Sequence, residues 1–338
     1  MKLGIIGTGW IAKQFVDAAL KTKKYELTAV YSRNLETAQK FSSDFPEATV
    51  EYFDELTEFF KSDSFDVVYI ASPNSLHYAQ AMAALKAQKN VIVEKPIVTN
   101  PKEMENLIAE LRLHPKNYLF EAARHYHQPN FKAITTEIQG MEVIQGATLT
   151  YEKYSSRYDA YLAGEKPNVF TTDFAGGALE DLGVYLVYDA LAWFGVPDSV
   201  IYEATKLNSG VDGSGIAILK YPQFNVTLQI GKTANSYLPG EIYGLKETLV
   251  MDNAADLNIV YVVDEKGNKE VISSLVDTNP LYEEAKAFAE VLENPEDLES
   301  RDNADRWLAM AVEVNKVLYK LRHYAKINFP NDVLMDED

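Results

Sequence analysis

The first 120 residues alternate between short apolar runs and longer stretches of helical spacing, and this alternation restricts the fold more than any other feature. Apolar residues at Ile11, Phe15 and Ala19 have helical spacing, and Asn100 followed by Pro101 is typical of a helix start. The candidate strands are continuously apolar, as expected for strands covered on both faces. They are residues 2–6, 26–31, 67–71, 91–94 and 118–121. This part of the chain therefore predicts a parallel sheet covered by helices.

After about residue 124 the pattern changes. We predict a helix at 130–138, a strand at 142–152 and a Tyr-rich loop through Pro167. Short strands divided by Gly, Asn and Pro between 199 and 273 predict an antiparallel sheet with one solvated face. Two amphipathic helices, near 281–292 and 301–321, follow. We expect a first domain at 1–123, a second at 124–330 and a flexible acidic tail at 331–338.

Charge and composition exclude several classes of partner. The 338 residues carry a formal net charge of −18, and no short stretch is rich in Lys and Arg without interleaved acids. This argues against binding to nucleic acids or to an anionic membrane. There are no cysteines, which excludes disulfides, thiolate nucleophiles and Cys-based metal sites. No apolar run approaches the roughly 20 residues of a membrane span, and the N-terminus lacks a signal-peptide core, so we expect a cytoplasmic protein. We also expect its partner to be a small molecule.

The strongest local motif is Gly7-Thr8-Gly9-Trp10-Ile11-Ala12, between the first predicted strand and the first predicted helix. The first Gly permits a tight turn, the second lets a pyrophosphate approach the backbone, and Ala12 permits close packing of helix on strand. The amides at the helix N-terminus then face the phosphates. We interpret the motif as a dinucleotide-binding loop; the alternative is a structural turn.

The second predicted strand ends in Tyr31-Ser32-Arg33, without the carboxylate that binds the ribose hydroxyls of NAD. A hydroxyl followed by a guanidinium suits the 2′-phosphate of NADP, since Arg grips phosphate with two hydrogen bonds. We expect a preference for NADP, with NAD possible. The alternative is a solvated loop arginine.

Two further motifs follow predicted parallel strands. Ser72-Pro73-Asn74-Ser75-Leu76-His77 comes after the run 67–71, and Val93-Glu94-Lys95-Pro96 ends the run 91–94. Open α/β sheets bind ligands at the carboxyl ends of their strands. Lys95 at such a position could orient a substrate hydroxyl or move a proton, whereas in the alternative Glu94 only holds Lys95 in an ion pair.

The last motif is the segment 176–185, which reads Gly-Gly-Ala-Leu-Glu-Asp-Leu-Gly-Val-Tyr and leads into an apolar helix. On a helix, Asp181 and Tyr185 are four residues apart and share a face. A carboxylate and a phenol placed in this way can anchor a substrate and exchange a proton. A core tyrosine that is hydrogen-bonded to a nearby acid is the alternative.

These motifs, in this order and spacing, resemble the Gfo/Idh/MocA family of glucose–fructose oxidoreductases and inositol dehydrogenases. Glu94-Lys95-Pro96 and the segment ending at Tyr185 are its most specific elements, and the resemblance covers nearly the whole chain. It implies an N-terminal NAD(P)-binding Rossmann domain and a C-terminal α/β domain with an open, mainly antiparallel sheet. It also implies a homodimer or homotetramer, because family members usually bury this open sheet against a second subunit.

Site residues follow from the resemblance. Lys95 resembles the catalytic lysine that hydrogen-bonds the reacting hydroxyl, and Asp181 resembles the substrate-orienting acid. Tyr185 resembles the tyrosine variant of the family, found in dihydrodiol dehydrogenases, which exchanges the hydroxyl proton while hydride moves to or from nicotinamide. His77 is implied to lie near the nicotinamide, with a satisfied loop histidine as the alternative. Together with the Gly-rich loop, the predicted cofactor-binding residues are Gly7, Thr8, Gly9, Trp10, Ile11, Ser32, Arg33, Ser72, Asn74, His77, Glu94, Lys95 and Arg124.

The segment 121–129 departs from the family pattern. It keeps the Glu-Ala start and the later Pro but lacks the Trp and Arg of dihydrodiol dehydrogenases, so the substrate stays open among sugars, polyols and dihydrodiol-like compounds. His125 and His127 are two residues apart, which is weak evidence for a metal site, and we predict none. The clustered tyrosines 151, 154, 158 and 161 fit either a sugar site or a subunit interface.

The sequence therefore predicts an NAD(P)-dependent oxidoreductase acting on a hydroxyl or keto group. Two alternatives from other classes are a dinucleotide-sensing regulatory protein without turnover and a glycosidase that uses nicotinamide transiently. The presence of both Lys95 and Tyr185 argues against the sensor, which needs only the dinucleotide site.

Overall fold

The computed structural model describes residues 1–332, and the chain forms two compact units. The first contains residues 1–124 and 277–311, and the second contains residues 125–276 and the C-terminal segment from Val312. The segment 277–311, which we had expected in the second domain, thus belongs to the first unit. Its apolar side chains explain this, because Phe288 stacks on Phe120 with ring centroids 4.7 Å apart.

The bounds of the elements are as follows. The helices are α1 (Trp10–Lys21), α2 (Leu35–Ser42), α3 (Leu56–Lys61), α4 (Asn74–Lys86), α5 (Pro101–Leu111), α6 (Pro129–Gly140), α7 (Tyr158–Leu162), α8 (Val184–Phe194), α9 (Tyr282–Glu293) and α10 (Leu298–Tyr324). The strands are β1 (Lys2–Ile6), β2 (Glu26–Tyr31), β3 (Glu51–Phe53), β4 (Val67–Ile70), β5 (Asn90–Glu94), β6 (Leu119–Ala122), β7 (Gly146–Glu152), β8 (Ser199–Lys206), β9 (Asp212–Lys220), β10 (Asn225–Gly231), β11 (Gly240–Tyr243), β12 (Thr248–Met251), β13 (Val260–Val263) and β14 (Lys269–Val271).

The first unit is built on a six-stranded sheet in the order β3-β2-β1-β4-β5-β6. Every neighbouring pair is parallel, which confirms the predicted Rossmann sheet. The chain order reverses between β1 and β4, where ligands bind in sheets of this kind. Buried aromatic rings support the sheet, and Phe15 of α1 stacks on Tyr69 of β4 with centroids 3.7 Å apart.

The second unit is built on an eight-stranded sheet in the order β14-β13-β12-β11-β7-β10-β9-β8. Its strands pair antiparallel except β7 and β10, which are parallel, so the predicted open, mainly antiparallel sheet is confirmed. Helix α8 packs against β7 and β10. The predicted strand at 142–152 begins only at Gly146, and the predicted Tyr-rich loop contains the short helix α7.

The C-terminal segment is anchored as far as it is described. Both carboxylate oxygens of Asp332 accept hydrogen bonds from the guanidinium of the buried Arg322 in α10, at 2.5 and 2.7 Å. Of the tail that we predicted as flexible, residues 333–338 lie outside the described part of the chain. None of the helices within residues 1–332 is both long enough and apolar enough to cross a membrane.

Candidate functional site

The Gly-rich loop between β1 and α1 has the geometry of a dinucleotide cradle. Gly7 has φ +101°, and a Cβ at this position would overlap the carbonyl oxygen of Ala71, so only glycine fits. A Cβ on Gly9 would meet nothing within 4 Å, so the space beside the first turn of α1 is open. No side chain of residues 1–332 caps this helix, whose first turn holds no acid, and Trp10 is 73% exposed. The loop therefore fits a pyrophosphate at a helix N-terminus.

The other cofactor-binding candidates of the first unit lie near the same edge of its sheet. Strands β1, β2, β4, β5 and β6 are parallel and end at one edge. One or two positions after the strand ends lie, in spatial order, Ser32, Gly7, Ser72, Lys95 and Arg124. The fold thus brings together at one sheet edge residues that are up to 117 positions apart in the sequence.

The turn after β2 presents Arg33 to solvent. Asn34 begins α2 as its N-cap, and its side chain accepts hydrogen bonds from the amides of Glu36 at 2.8 Å and Thr37 at 3.2 Å. The Ser32 amide donates to the Phe53 carbonyl at 3.0 Å. With its two neighbours fixed, Arg33 lies at an exposed, ordered tip, where a guanidinium can meet a phosphate.

His77 is completely buried and links two strand ends. One ring nitrogen lies 2.9 Å from the carbonyl oxygen of Pro96, and the other lies 2.8 Å from that of Ser72. Burial lowers the pKa of His77, although the two carbonyls oppose this effect. His77 therefore ties the loop after β4 to the loop after β5, and its contact with nicotinamide stays a prediction.

Glu94, next to Lys95 in the chain, is one of two buried acids that interact in the first unit; the other is Glu284. The hydroxyl of Tyr69 donates to the Glu94 carboxyl, and the Lys95 amide lies 3.3 Å from the same group. Burial raises the pKa of Glu94, and the Lys95 charge opposes this shift. Glu284 of α9 is completely buried, and burial together with the Glu94 charge raises its pKa well above the usual range. The Lys95–Pro96 peptide bond is cis.

In the second unit, two glycines let the chain before Asp181 fold tightly. A Cβ on Gly176 would come within 2.6 Å of the Val169 backbone, and Gly177 has φ +123°. A Cβ on Gly177 would overlap the Asp212 carboxylate, which accepts hydrogen bonds from the Leu179 amide at 2.7 Å and from a tyrosine hydroxyl. The buried Asp212 thus fixes the start of the turn that carries Asp181.

Asp181 and Tyr185 lie on either side of a helix junction. Residues Leu179–Gly183 form a π-helical turn, and α8 starts at the next residue, so Tyr185 lies in its first turn. A Cβ on Gly183 would lie 2.9 Å from the Ile230 side chain, so glycine allows this turn to pack closely on β10. π-helical turns inside helices are frequent at functional sites.

A buried lysine holds Asp181. The Nζ atom of Lys232, which follows β10 directly, lies 2.6 Å from Oδ2 of Asp181. The Lys232 side chain is 2% exposed and lies over the Phe170 ring, whereas the Asp181 side chain is 35% exposed. The ammonium therefore fixes one carboxylate oxygen from inside and leaves part of the carboxylate accessible to a ligand.

Tyr185 lies between two aromatic residues of the second unit. Its ring meets that of Tyr151 from β7 edge-on, at 5.5 Å between centroids, and lies 4.8 Å from the ring of His125. Only 8% of Tyr185 is exposed. These contacts restrict the rotation of the ring, as expected of a group that must present its hydroxyl in one direction.

Glu180 points into the protein, opposite to its neighbour Asp181. Its carboxylate lies 3.2 Å from Nε of Arg322, whose other guanidinium nitrogens bind Asp332. Burial raises the pKa of Glu180 to about 7, and the Arg322 charge opposes this shift. Arg322 of α10 therefore joins the turn at Glu180 to the C-terminal segment.

The structure brings Asp181 and Tyr185 together in the second unit and collects the predicted cofactor residues and Lys95 in the first. Sequence analysis missed Lys232, Asp212 and Arg322, and it did not connect His125 with Tyr185. Of these residues, Lys232 could have been noticed, because it directly follows the strand 225–231, in which polar and apolar residues alternate. The other partners carry no motif, because the fold alone brings them to the turn.

Comparison with known proteins gives the same picture. Residues 1–121 match the family model described as Gfo/Idh/MocA oxidoreductase family, NAD-binding Rossmann fold. The chain is 38% identical over 333 residues to the uncharacterized oxidoreductase YgjR of Escherichia coli, with 98% of each chain covered. It is 36% identical over 334 residues to the NADP(+)-dependent scyllo-inositol 2-dehydrogenase IolU of Bacillus subtilis, covering 98% of this chain and 99% of IolU.

More distant relatives share less of the sequence. Human trans-1,2-dihydrobenzene-1,2-diol dehydrogenase is 28% identical over 249 residues, which are 70% of this chain and 71% of the human protein. The fold matches that of KijD10, a 3-ketoreductase of Actinomadura kijaniata solved with NADP and TDP-benzene, with a TM-score of 0.80 at 21% identity, covering 96% of this chain and 97% of KijD10. The first 121 residues form the NAD-binding domain that the family model describes, and the chain belongs to the Gfo/Idh/MocA family of oxidoreductases.

Proposed function

We propose that this protein is an NADP-preferring dehydrogenase or reductase that acts on a hydroxyl or keto group of a polyol, a sugar or a related cyclic compound. The observation that carries the proposal is the setting of Asp181 and Tyr185. Asp181 is about one-third accessible and is held from inside by Lys232, and Tyr185 on the next turn contacts two aromatic rings. A simple dinucleotide sensor needs neither arrangement.

Lys95, Tyr185 and Asp181 have separate roles in the proposed reaction. NADP or NADPH bound by the first unit would supply the hydride acceptor or donor for the substrate carbon. Lys95 donates a hydrogen bond to the reacting oxygen and favours its negative charge. Tyr185 takes the hydroxyl proton during oxidation and returns it during reduction. Asp181 accepts a hydrogen bond from a second substrate hydroxyl, which orients the ring of the substrate.

The cofactor binds along the edge of the parallel sheet in this proposal. The amides after Gly7 face the pyrophosphate, with Thr8, Gly9, Trp10 and Ile11 around it, and Arg33 with Ser32 binds the 2′-phosphate. Support for NADP comes from the missing carboxylate after β2 and from IolU, whose name specifies NADP(+). The nicotinamide end is assigned to Ser72, Asn74, His77, Glu94, Lys95 and Arg124.

The remaining parts of the proposal concern organisation. The first unit binds the cofactor, and the second unit binds the substrate and contacts another subunit in a homodimer or homotetramer. The family's open sheet, which members usually bury, supports this assembly. The acidic net charge of −18 argues against nucleic-acid and anionic-membrane partners, and the proposal places the protein in the cytoplasm with a small-molecule substrate.

A substrate screen tests the proposal. Inositols, aldoses and a trans-dihydrodiol are offered with NADP and with NAD, and absorbance at the reduced nicotinamide band is followed. We expect turnover with a cyclic polyol or sugar and a higher kcat/KM with NADP. Lys95→Ala and Tyr185→Phe should each lower kcat by about 100-fold or more while the cofactor still binds. Unchanged turnover in both variants would contradict the roles given to these residues.

A further inference from the structure

Two ionisable side chains in the core of the second unit serve no role in the mechanism above. His125, in the short helical turn before α6, is 1% exposed, and Asp189 of α8 is completely buried. Nε2 of His125 lies 3.5 Å from Oδ1 of Asp189. Within residues 1–332, neither oxygen of Asp189 has a hydrogen-bond partner, and the ionisable group recorded beside it is His125.

Burial of such a pair lowers the stability of the folded protein. A carboxyl group without hydrogen bonds loses its hydration without replacement, and burial raises the pKa of Asp189 well above its usual range. An apolar pair of similar volume would fill the same space at lower cost. Stability therefore gives no reason for an acid and an imidazole at these two positions, whereas a functional role does.

The His125–Asp189 pair lies next to Tyr185. Asp189 follows Tyr185 by one helical turn on α8, so the two share a face of the helix. The His125 ring lies 4.8 Å from the Tyr185 ring, and it also meets the rings of Tyr188 of α8 at 5.7 Å and Phe131 of α6 at 5.8 Å edge-on. These contacts place the titratable groups Asp189, Tyr185 and Tyr188 beside His125, and Tyr151 of β7 contacts Tyr185.

We propose that His125 and Asp189 are positioning residues for Tyr185, which stabilise its phenolate by moving one buried proton toward it. When Tyr185 gives its hydroxyl proton to the substrate oxygen during reduction, or to solvent before oxidation, the O–H bond on Asp189 breaks and an N–H bond forms on Nε2 of His125. The net charge of the pair stays zero, but its positive end now lies against the Tyr185 ring. Return of the proton to Tyr185 reverses the shift. The phenolate thus gains an opposite charge inside a site of low dielectric, where such a charge acts strongly.

This inference rests on the role proposed for Tyr185, and it makes a prediction that a purely structural pair does not. Phenolate formation would need the proton shift, so loss of either partner would make Tyr185 harder to deprotonate. In the oxidation direction, the acid limb of kcat against pH should move to higher pH. A pair that only fills space would lower stability, and at most lower kcat equally at all pH values.

The experiment compares four variants in the assay with NADP and the best substrate of the polyol and sugar screen. His125→Gln keeps an amide near the position of Nε2 but cannot hold the extra charge, and Asp189→Asn keeps the shape of the acid but cannot give its proton. We expect each to shift the acid limb upward by about one pH unit. The double variant should show the shift of one single variant, because the two residues act as one unit.

His127→Gln is the matched control. His127 lies in the same short helical turn and is buried, and its ring meets that of Tyr126 edge-on at 5.7 Å between centroids. Burial lowers the pKa of His127 to about 3, so His127 stays neutral across the assay range. We therefore expect the acid limb of kcat against pH in His127→Gln to coincide with that of the unchanged protein. Cofactor affinity and thermal midpoints are measured for all variants to identify loss of folding.

The outcomes separate this inference from the proposed function. Suppose that Tyr185→Phe lowers turnover, but the acid limb of kcat against pH in His125→Gln and in Asp189→Asn coincides with that of the unchanged protein. The proton-shift role is then wrong and the proposed function stands. If the two shifts add in the double variant, the residues do not act as a pair, and the inference also fails. If Tyr185→Phe leaves turnover unchanged, the proposed function itself fails.

Discussion

The two compact units hold their candidate residues by different means. In the first unit these residues follow the ends of parallel strands, and the cradle depends on backbone conformation at Gly7 and open space at Gly9. In the second unit a side chain from a distant segment holds each candidate: Lys232 holds Asp181, and His125 packs on Tyr185. Substitutions that add a side chain should disrupt the site formed by the backbone, whereas substitutions that remove a charge should disrupt the site formed by paired side chains.

The largest effect on cofactor affinity should come from adding volume to the backbone cradle. Gly7→Val places a branched side chain at φ +101° and against Ala71, so we expect NADP affinity to fall by more than about 100-fold and the free energy of unfolding to fall by about 3 kcal/mol. Gly9→Ala separates the two effects, because its Cβ meets nothing in the protein. It should lower cofactor affinity and leave the free energy of unfolding within about 0.5 kcal/mol. Calorimetric titration and urea unfolding measure both.

An unchanged NADP affinity in Gly9→Ala would show that the pyrophosphate does not approach this helix end. The backbone at Gly7 and Gly9 would then not form the cofactor site of the first unit.

Removing charge from the second unit should give the next largest effect. Lys232→Met keeps the length of the side chain but leaves Asp181 without its ammonium, so we expect kcat/KM to fall by about 30- to 100-fold with NADPH affinity unchanged. Lys220→Met is the control, since Lys220 is an exposed lysine on the neighbouring strand β9. Steady-state kinetics and fluorescence titration of NADPH measure the two quantities. Equal kinetics in the two variants would exclude Lys232 from the positioning of Asp181.

The buried carboxyl of Glu180 predicts a pH dependence of stability. Its pKa is about 7 in the folded protein against the usual 4.5, so the folded state holds this proton more tightly. Its contribution is therefore fully present below about pH 4.5 and is lost as the pH rises through 7. Relative to Glu180→Gln, the unchanged protein should lose about 2–3 kcal/mol of unfolding free energy between pH 5 and pH 8.

Urea unfolding at several pH values measures this difference, and Glu203→Gln, at an exposed position on β8, is the control. Parallel pH curves for the unchanged protein and Glu180→Gln would mean that Arg322 keeps Glu180 ionised.

The smallest effect concerns cofactor choice. Arg33→Ala removes the guanidinium at the exposed tip after β2 and should weaken NADP about tenfold while NAD affinity stays the same. The backbone should not change, because Asn34 caps α2 independently of Arg33. Competition titrations with both cofactors check this. An equal loss for both would place Arg33 away from the 2′-phosphate.

The same contrast explains how much could be predicted from the sequence. The first unit could be predicted closely because local patterns determine it: β1 and β2 have the predicted bounds, and Asn100 caps α5 as expected. Strand β3 was missed because it is three residues long and mostly exposed, which gives no apolar run. Segment 277–311 was assigned to the second domain because nothing in an amphipathic helix specifies which surface it will cover.

The second unit could be predicted only in outline. Its sheet was expected from repeated short strands, and Asp181 and Tyr185 from the motif around them. Their partners were not predicted, because Lys232 lies 51 residues after Asp181 and 47 after Tyr185, and Asp212 and Arg322 reach the turn only through the fold. Pairing between distant side chains depends on tertiary structure, so no local pattern specifies it.

Single-turnover hydride transfer in Tyr185→Phe tests the central claim most directly. NADPH affinity is measured first, and the variant is then mixed with the keto form of the best substrate from the screen while nicotinamide absorbance is followed. Because the cofactor residues lie in the first unit and Tyr185 lies in the second, we predict NADPH affinity within about twofold of the unchanged protein and a transfer rate lower by about 100- to 10,000-fold. A transfer rate equal to that of the unchanged protein would contradict the account.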